Sequence, residues 1–308
     1  MAFDALQRQI SDLFKDSVFS IPRNQRRYVW NKQNWQEFLE DILNVANKNA
    51  KSHFLGSVVL MEDGKKDGLE YYTIIDGQQR VTTIIIMLSS IMKLFHENNM
   101  IDDFNGTKKY LRPTNLRNKE VPALESDFHL SISNVINKII EISSDDNKKS
   151  ISSFLESIVP YERDKVIKDC FRFFYDEIKE YISQNDDTNE ILLDIRNALI
   201  EIYFVKITAT TEEDSYTIFE ILNARGQDLE DHELLKNYIM RHIIPEVNRD
   251  MAKTIWDEIE KILGDSIKKF IKHYTTHKFG NPAEKSDSFY RFIQKTQKTK
   301  IKKNFSMT

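Results

Sequence analysis

The chain has 308 residues, 40% of them apolar and 30% charged, with a formal net charge of -4. These values exclude a disordered tract and a chain of apolar membrane spans, and leave one large globular domain or two ordinary ones. The near-balanced charge provides no global basic field, so any nucleic-acid contact must use a local patch.

Cys170 is the single cysteine, which excludes an internal disulfide and a thiolate metal cluster and fits a reducing, cytoplasmic setting. Eight glycines and six prolines suit a helix-rich fold. In chain order, Leu6, Ile10, Leu13 and Phe14 lie at helical spacing and predict an amphipathic helix over 3–15. "SVFSIP" predicts a strand stopped by Pro22. After the basic and aromatic "RNQRRYVW", the residues Trp35, Phe38, Leu39, Ile42 and Leu43 predict a helix over 33–46. "HFLGSVVLM" and "YYTII" predict a hairpin closed by the polar turn "EDGKKDG", and a helix follows over 79–97.

From "DDFNGTKKY" onward the strand signal fades, and helices are predicted over 128–142, 151–158, 163–182 and 188–201. "IYFVKIT" (202–208) predicts one late strand. A helix capped by Thr210 or Thr211 then runs to a stop at Gly226, and another spans 230–243 ahead of Pro245. The remainder to Thr308 is helical in pattern. The expected organisation is α+β, with a mixed core from 1–105 plus about 200–240 and a helical domain from 106–199 and 241–308.

Three stretches can carry chemistry. At "IIDGQQR" a strand ends, Gly77 permits a tight turn, and the first amides of the next helix, aligned with its dipole, form an anion site. Arg80 can add a bidentate guanidinium, Gln78 and Gln79 can hold phosphate oxygens or orient water, and Asp76 can coordinate a divalent ion or activate water. The competing reading makes Asp76 an N-cap and the glutamines solvent-facing; the segment alone leaves both open. In "IPRNQRRYVW", Arg23, Arg26 and Arg27 can hold phosphates, whereas Tyr28 and Trp30 read better as core plugs. In "FEILNARGQDLEDHELLK", Phe219, Leu222, Leu229 and Leu234 read as core, and Arg225 and Lys236 are candidate ligand contacts with helix-end pairing as their alternative. His273 and His277 lie four apart without a carboxylate pair, which gives no metal set. Neither G-x-x-x-x-G-K-[ST] nor G-x-G-x-x-G occurs, which excludes the standard P-loop and dinucleotide fingerprints.

Together "IPRNQRRYVW", "HFLGSVVL", "IIDGQQRVTT" and "FEILNARGQDLEDHELLK", in that order, resemble the GmrS-type amino-terminal domain of modification-dependent (type IV) restriction enzymes and related phage-defence proteins. The resemblance covers about residues 1–240. It implies a ParB/sulfiredoxin-like core with a helical bundle that binds and hydrolyses a nucleoside triphosphate with Mg²⁺ or another divalent cation. Gln25 and Arg26 match the first motif, Asp76, Gly77, Gln78, Gln79 and Arg80 the second, and Asn223 and Gly226 the third. Asn24 stands where the family often has an aromatic, and Glu233 where it often has Asp. Arg225 joins Asn223 in closing the expected site, and Asp76 is the expected metal or water ligand. The implied partners are DNA, modified DNA in particular, and a nuclease domain or subunit, because this chain has no HNH-type motif; no membrane is expected, and an oligomer is compatible. The alternatives are a DNA-binding module without turnover, and a ParB-like nuclease using Asp76.

Overall fold

The computed structural model describes residues 3–22, 25, 28–125, 130–143, 165–185, 187–211, 214–215, 217–218, 235–236, 239 and 248–279. The chain divides into two compact units, Met1–Pro22 with Arg26–Glu220, and Arg23–Gln25 with Ile221–Thr308. The first unit is α+β.

Its opening segment departs from the expected helix. Phe3–Gln9 forms strand β1, and only Ile10–Phe14 is helical (α1). The reason is a distant partner: β1 pairs antiparallel with β6 (Tyr203–Ala209) along its whole length, from Phe3↔Ala209 to Gln9↔Tyr203. Leu6, which completed the helical pattern, is 39% exposed on this edge strand. Local spacing therefore lost to cross-strand hydrogen bonds that only the folded chain supplies.

Strand β2 (Ser17–Ser20), helix α2 (Lys32–Ala46) and the hairpin of β3 (Phe54–Lys66) and β4 (Leu69–Asp76) follow as expected. The predicted seven-residue turn shrinks to Asp67 and Gly68, with φ of 48° and 87°, the left-handed pair that a two-residue hairpin needs. Helix α3 (Gln78–Glu97) leads to α4 (Ile101–Leu111), which the sequence pattern did not mark. Asp102 and Asp103 in its first turn and Lys108 and Lys109 in its last complement the helix dipole. β5 (Leu124–Glu125), α5 (Leu130–Ser143), α6 (Lys165–Ser183) and α7 (Thr188–Glu201) complete the unit ahead of β6. The stretch expected to be helical over 151–158 lies outside the described residues.

The sheet order is β1-β6-β3-β4-β2-β5. Pairing is mixed: β3–β4 and β1–β6 are antiparallel, while β3–β6, β2–β4 and β2–β5 are parallel. α3 is apolar on every side and is correspondingly central, with Val81, Ile84–Leu88, Ile91, Met92, Leu94 and Phe95 no more than 1% exposed. Its two serine hydroxyls are satisfied locally: Ser89 donates to the Ile85 carbonyl at 2.7 Å and Ser90 to that of Ile86 at 3.0 Å. α3 packs against α4, α5, α6 and α7, and this helical layer and the sheet share one core.

In the second unit, α8 (Asn248–Leu263) and α9 (Ile267–Phe279) flank a short 3₁₀ turn and bury Trp256, Ile267 and Ile271 with Leu235. Lys236, considered above as a ligand contact, is instead committed here. Its side chain is 9% exposed and its ammonium lies 3.5 Å from Asp257 and 3.3 Å from Glu260, which also accepts from Trp256 Nε1 at 2.6 Å. Removing the cation leaves two half-exposed carboxylates facing each other, so Lys236→Ala is expected to destabilise this unit by about 1–2 kcal/mol, read as a lower urea midpoint. Retention of the wild-type midpoint would show that solvent already screens the cluster.

Candidate functional site

The strand-to-helix corner after β4 holds five consecutive candidate residues. β4 ends at Asp76, opposite Val59, so β3 continues past its last β4 partner. Gly77 then turns the chain with φ of 93° and packs on Val58: a Cβ there would lie 3.1 Å from Val58 Cγ2 and 3.3 Å from Val58 Cα. Only glycine meets both demands, conformation and close approach.

The competing reading of this corner fails on two points. Gly77, not Asp76, occupies the N-cap position of α3, and no side chain caps the first-turn amides. Nor do the glutamines face solvent, since Gln78 is 4% and Gln79 7% exposed. Asp76 itself is half-buried.

The two glutamines are used differently. Gln79 Oε1 accepts the Val29 backbone N–H at 2.8 Å, which ties the end of "RNQRRYV" to the first turn of α3. One turn on, Thr83 donates to the Gln79 carbonyl at 2.8 Å and lies 2.7 Å from the Tyr28 hydroxyl. Tyr28 OH also accepts from Trp35 Nε1 at 2.9 Å and lies 3.4 Å from Cys170 Sγ. Tyr28 is 3% exposed, and Trp30 packs its ring against Phe38, so both aromatics plug the core as expected. This clasp was not legible in the sequence, because the bonds that join its segments, Val29 to Gln79, Tyr28 to Thr83 and Tyr28 to Cys170, span 50, 55 and 142 positions.

Gln78 has no such partner. Both its Nε2 and its Oε1 are buried without a hydrogen bond, and the same holds for Thr82 Oγ1, four residues on and therefore on the same helix face. A buried carboxamide presenting an unmet donor and an unmet acceptor is costly unless something fills it. Arg80 donates to the Ser57 carbonyl, beyond the last β4 pair, and its guanidinium lies over Gly56, whose φ is 100°. A Cβ at Gly56 would meet that guanidinium at ordinary contact distances of 3.5–3.9 Å, so the constraint on Gly56 is conformational, not spatial. A guanidinium has five N–H donors.

Two further groups carry perturbed titration without being reactive. Burial pushes the Cys170 thiol well above its usual range against the opposing Tyr28 hydrogen bond, so it stays neutral and is a poor nucleophile. Burial likewise lowers Lys206, against the pull of Glu70 and Glu62. Its ammonium donates to Tyr72 OH at 2.8 Å, and Tyr72 donates to Glu70 at 2.6 Å, a closed cross-strand chain that supports β6 on the hairpin.

The corner thus unites Asp76, Gly77, Gln78, Gln79 and Arg80 with the glycine of "HFLGSVVL" and the end of "RNQRRYVW". Gln25 is a half-buried bend residue of the second unit. Arg26, Asn223, Arg225 and Gly226 lie outside the described residues. Among the described residues there is no group of three His, Cys, Asp or Glu side chains placed to hold a metal, and no helix long and apolar enough to cross a membrane.

No curated protein matches the chain. The model of one family, described as GmrSD restriction endonuclease, N-terminal domain, matches residues 10–240. That match takes in the hairpin, the corner and the clasp in a single span covering about three quarters of the 308 residues, and the chain belongs to this family of restriction-endonuclease N-terminal domains.

Proposed function

We propose that the α3 corner binds a nucleoside triphosphate and hydrolyses it, and that this activity regulates a restriction system acting on modified DNA. The observation that carries the reading is the buried, unpartnered carboxamide of Gln78 at the uncapped amino terminus of a 20-residue helix. The amides and dipole of α3 bind the phosphate chain. The free donors of Arg80, held in place by Ser57, add positive charge at the same end, and Arg26 does so from the neighbouring motif. Gln78 offers both a donor and an acceptor, which suits a water that must be oriented as well as a phosphate oxygen; Thr82 supports it from the next turn. By the resemblance, the motif holding Asn223, Arg225 and Gly226 serves the same activity, and the fold around the corner is of ParB/sulfiredoxin type.

A divalent cation fits this donor set in one manner only. Mg²⁺ is commonly held by one or two carboxylates with substrate phosphates and water completing the shell, and Asp76 provides one carboxylate at the corner. When bound, the cation neutralises phosphate charge; the remaining work is positioning, which suits amides and guanidinium. A nuclease domain or subunit and modified DNA are the partners of this reading.

The test is phosphate release from ATP, GTP, CTP and UTP with Mg²⁺, with and without 5-hydroxymethylcytosine DNA, for the wild type and Asp76→Ala. Release that falls by about 10²-fold in Asp76→Ala is expected. No release with any triphosphate overturns the proposal. DNA cleavage without nucleotide makes the chain a nuclease using Asp76, and salt-dependent DNA binding with neither activity makes it a binding module.

A further inference from the structure

β1 is the outermost strand of its sheet, and among the described residues no strand pairs with its other side. Edges of this length are commonly blunted by lysine, proline or a bulge, or covered by a loop. FDALQRQ holds no lysine or proline, its register on β6 is unbroken, and residues 4–8 are all exposed. Successive side chains alternate, so both faces of the strand meet solvent. One bond fixes which backbone groups point outward. Ile10 N–H donates to the Ile202 carbonyl at 3.2 Å, continuing the register from Gln9↔Tyr203. Counting back in twos, Arg8, Leu6 and Asp4 turn their backbone groups toward β6, and Phe3, Ala5, Gln7 and Gln9 turn theirs away from it. Arg8 reaches the outward Gln7 carbonyl only at 3.5 Å, the long limit of a hydrogen bond. Asp4 and Arg8 flank Leu6 symmetrically and form no ion pair among the described residues. Lys206, opposite Leu6 on β6, feels their charges with opposite sign and donates to Tyr72 instead.

We infer that β1 is the contact of a homodimer, in which the outer edges of two copies pair antiparallel about a two-fold axis at Leu6. In that register Ala5 exchanges backbone hydrogen bonds with the partner's Gln7, and Phe3 with the partner's Gln9. Asp4 falls opposite the partner's Arg8 and Leu6 opposite the partner's Leu6, in the positions where cross-strand side chains approach most closely. The two-fold repeats each pair, so every outward group of Phe3–Gln9 is used. A shift of two residues either way sets Leu6 against a charge and breaks the match, and an in-register parallel pairing sets Asp4 on the partner's Asp4. Charges of one sign would repel a second copy; unlike charges placed evenly about Leu6 select it. Residues 3–9 lie ahead of the matched 10–240, so the family match assigns β1 nothing, and β1 shares no residue with the α3 corner.

The test is sedimentation velocity of the full chain from about 5 to 500 µM, where a monomer–dimer equilibrium is expected. A contact of seven residues a side, against roughly 20–30 in a standard interface, sets the dissociation constant at about 10–100 µM. Asp4→Arg and Arg8→Asp each weaken association about tenfold or more. Mixing the two variants restores it, because each strand then meets unlike charges on the other. Ala5→Pro abolishes association while β6 stays paired, since the lost N–H points outward. Leu6→Cys cross-links into a disulfide dimer in oxidised glutathione and Gln7→Cys does not, while the buried Cys170 takes no part. A monomer throughout the range, a dimer that survives Ala5→Pro, single reversals that mixing does not rescue, or cross-linking of Gln7→Cys in place of Leu6→Cys each overturns the inference.

Discussion

Gly77→Ala is expected to destabilise the first unit by about 3–4 kcal/mol, the largest single-methyl effect anticipated in this chain. Two independent costs add. An L-residue in the left-handed region at φ of 93° costs roughly 1–2 kcal/mol. The new Cβ also meets Val58 at 3.1 Å and 3.3 Å, the second contact being backbone, and overpacking of this kind costs about 1–3 kcal/mol. Val58 cannot retreat, because it is 1% exposed and paired with Lys206 on β6. Gly64→Ala isolates the conformational part: its φ is 95°, and nothing lies within 4 Å of an added Cβ. Urea unfolding of both variants should therefore show Gly77→Ala at least 1 kcal/mol worse than Gly64→Ala. Equal losses would show that the approach of Gly77 to Val58 carries no energy.

The contrast between these two glycines also marks how far the sequence can be read. "Asp-Gly" before an apolar run announces a turn into a helix, and α3, the hairpin, α2 and β6 all followed from local periodicity. β1 did not, because Phe3–Gln9 has no strand pattern of its own and is extended only where β6 offers it hydrogen bonds. β5 is a two-residue strand created by its parallel neighbour β2. At the corner, residue type was legible and residue task was not. Gln78 and Gln79 are the same amino acid one position apart, yet a rotation of about 100° around the helix gives one a backbone partner on Val29 and leaves the other buried without any. Arg80 reads as a phosphate ligand by type, and its bond to Ser57 becomes visible only once β3 outruns β4.

Tyr28→Phe is the substitution that probes the clasp. The hydroxyl accepts from Trp35 Nε1, bonds Thr83 and lies beside Cys170, and burial above all raises its pKa far beyond the physiological range, so it acts as a neutral donor and acceptor. Its removal leaves the Trp35 N–H, on a residue 5% exposed, without an acceptor, while Thr83 keeps its bond to the Gln79 carbonyl. One orphaned buried donor together with the lost Thr83 bond is worth about 2–3 kcal/mol of stability. A double-mutant cycle with Thr83→Val separates the two parts, with a coupling near 1 kcal/mol assigned to the Tyr28–Thr83 bond. Because Val29 follows Tyr28 and is itself held by Gln79, the same substitution loosens Tyr28 and Val29 from α3. Nucleotide binding by Tyr28→Phe should weaken by a larger factor than a core substitution of equal stability cost, such as Ile139→Val, weakens it. Equal losses of affinity in both variants, or a cycle that is additive within about 0.3 kcal/mol, would make Tyr28 a packing residue and nothing more.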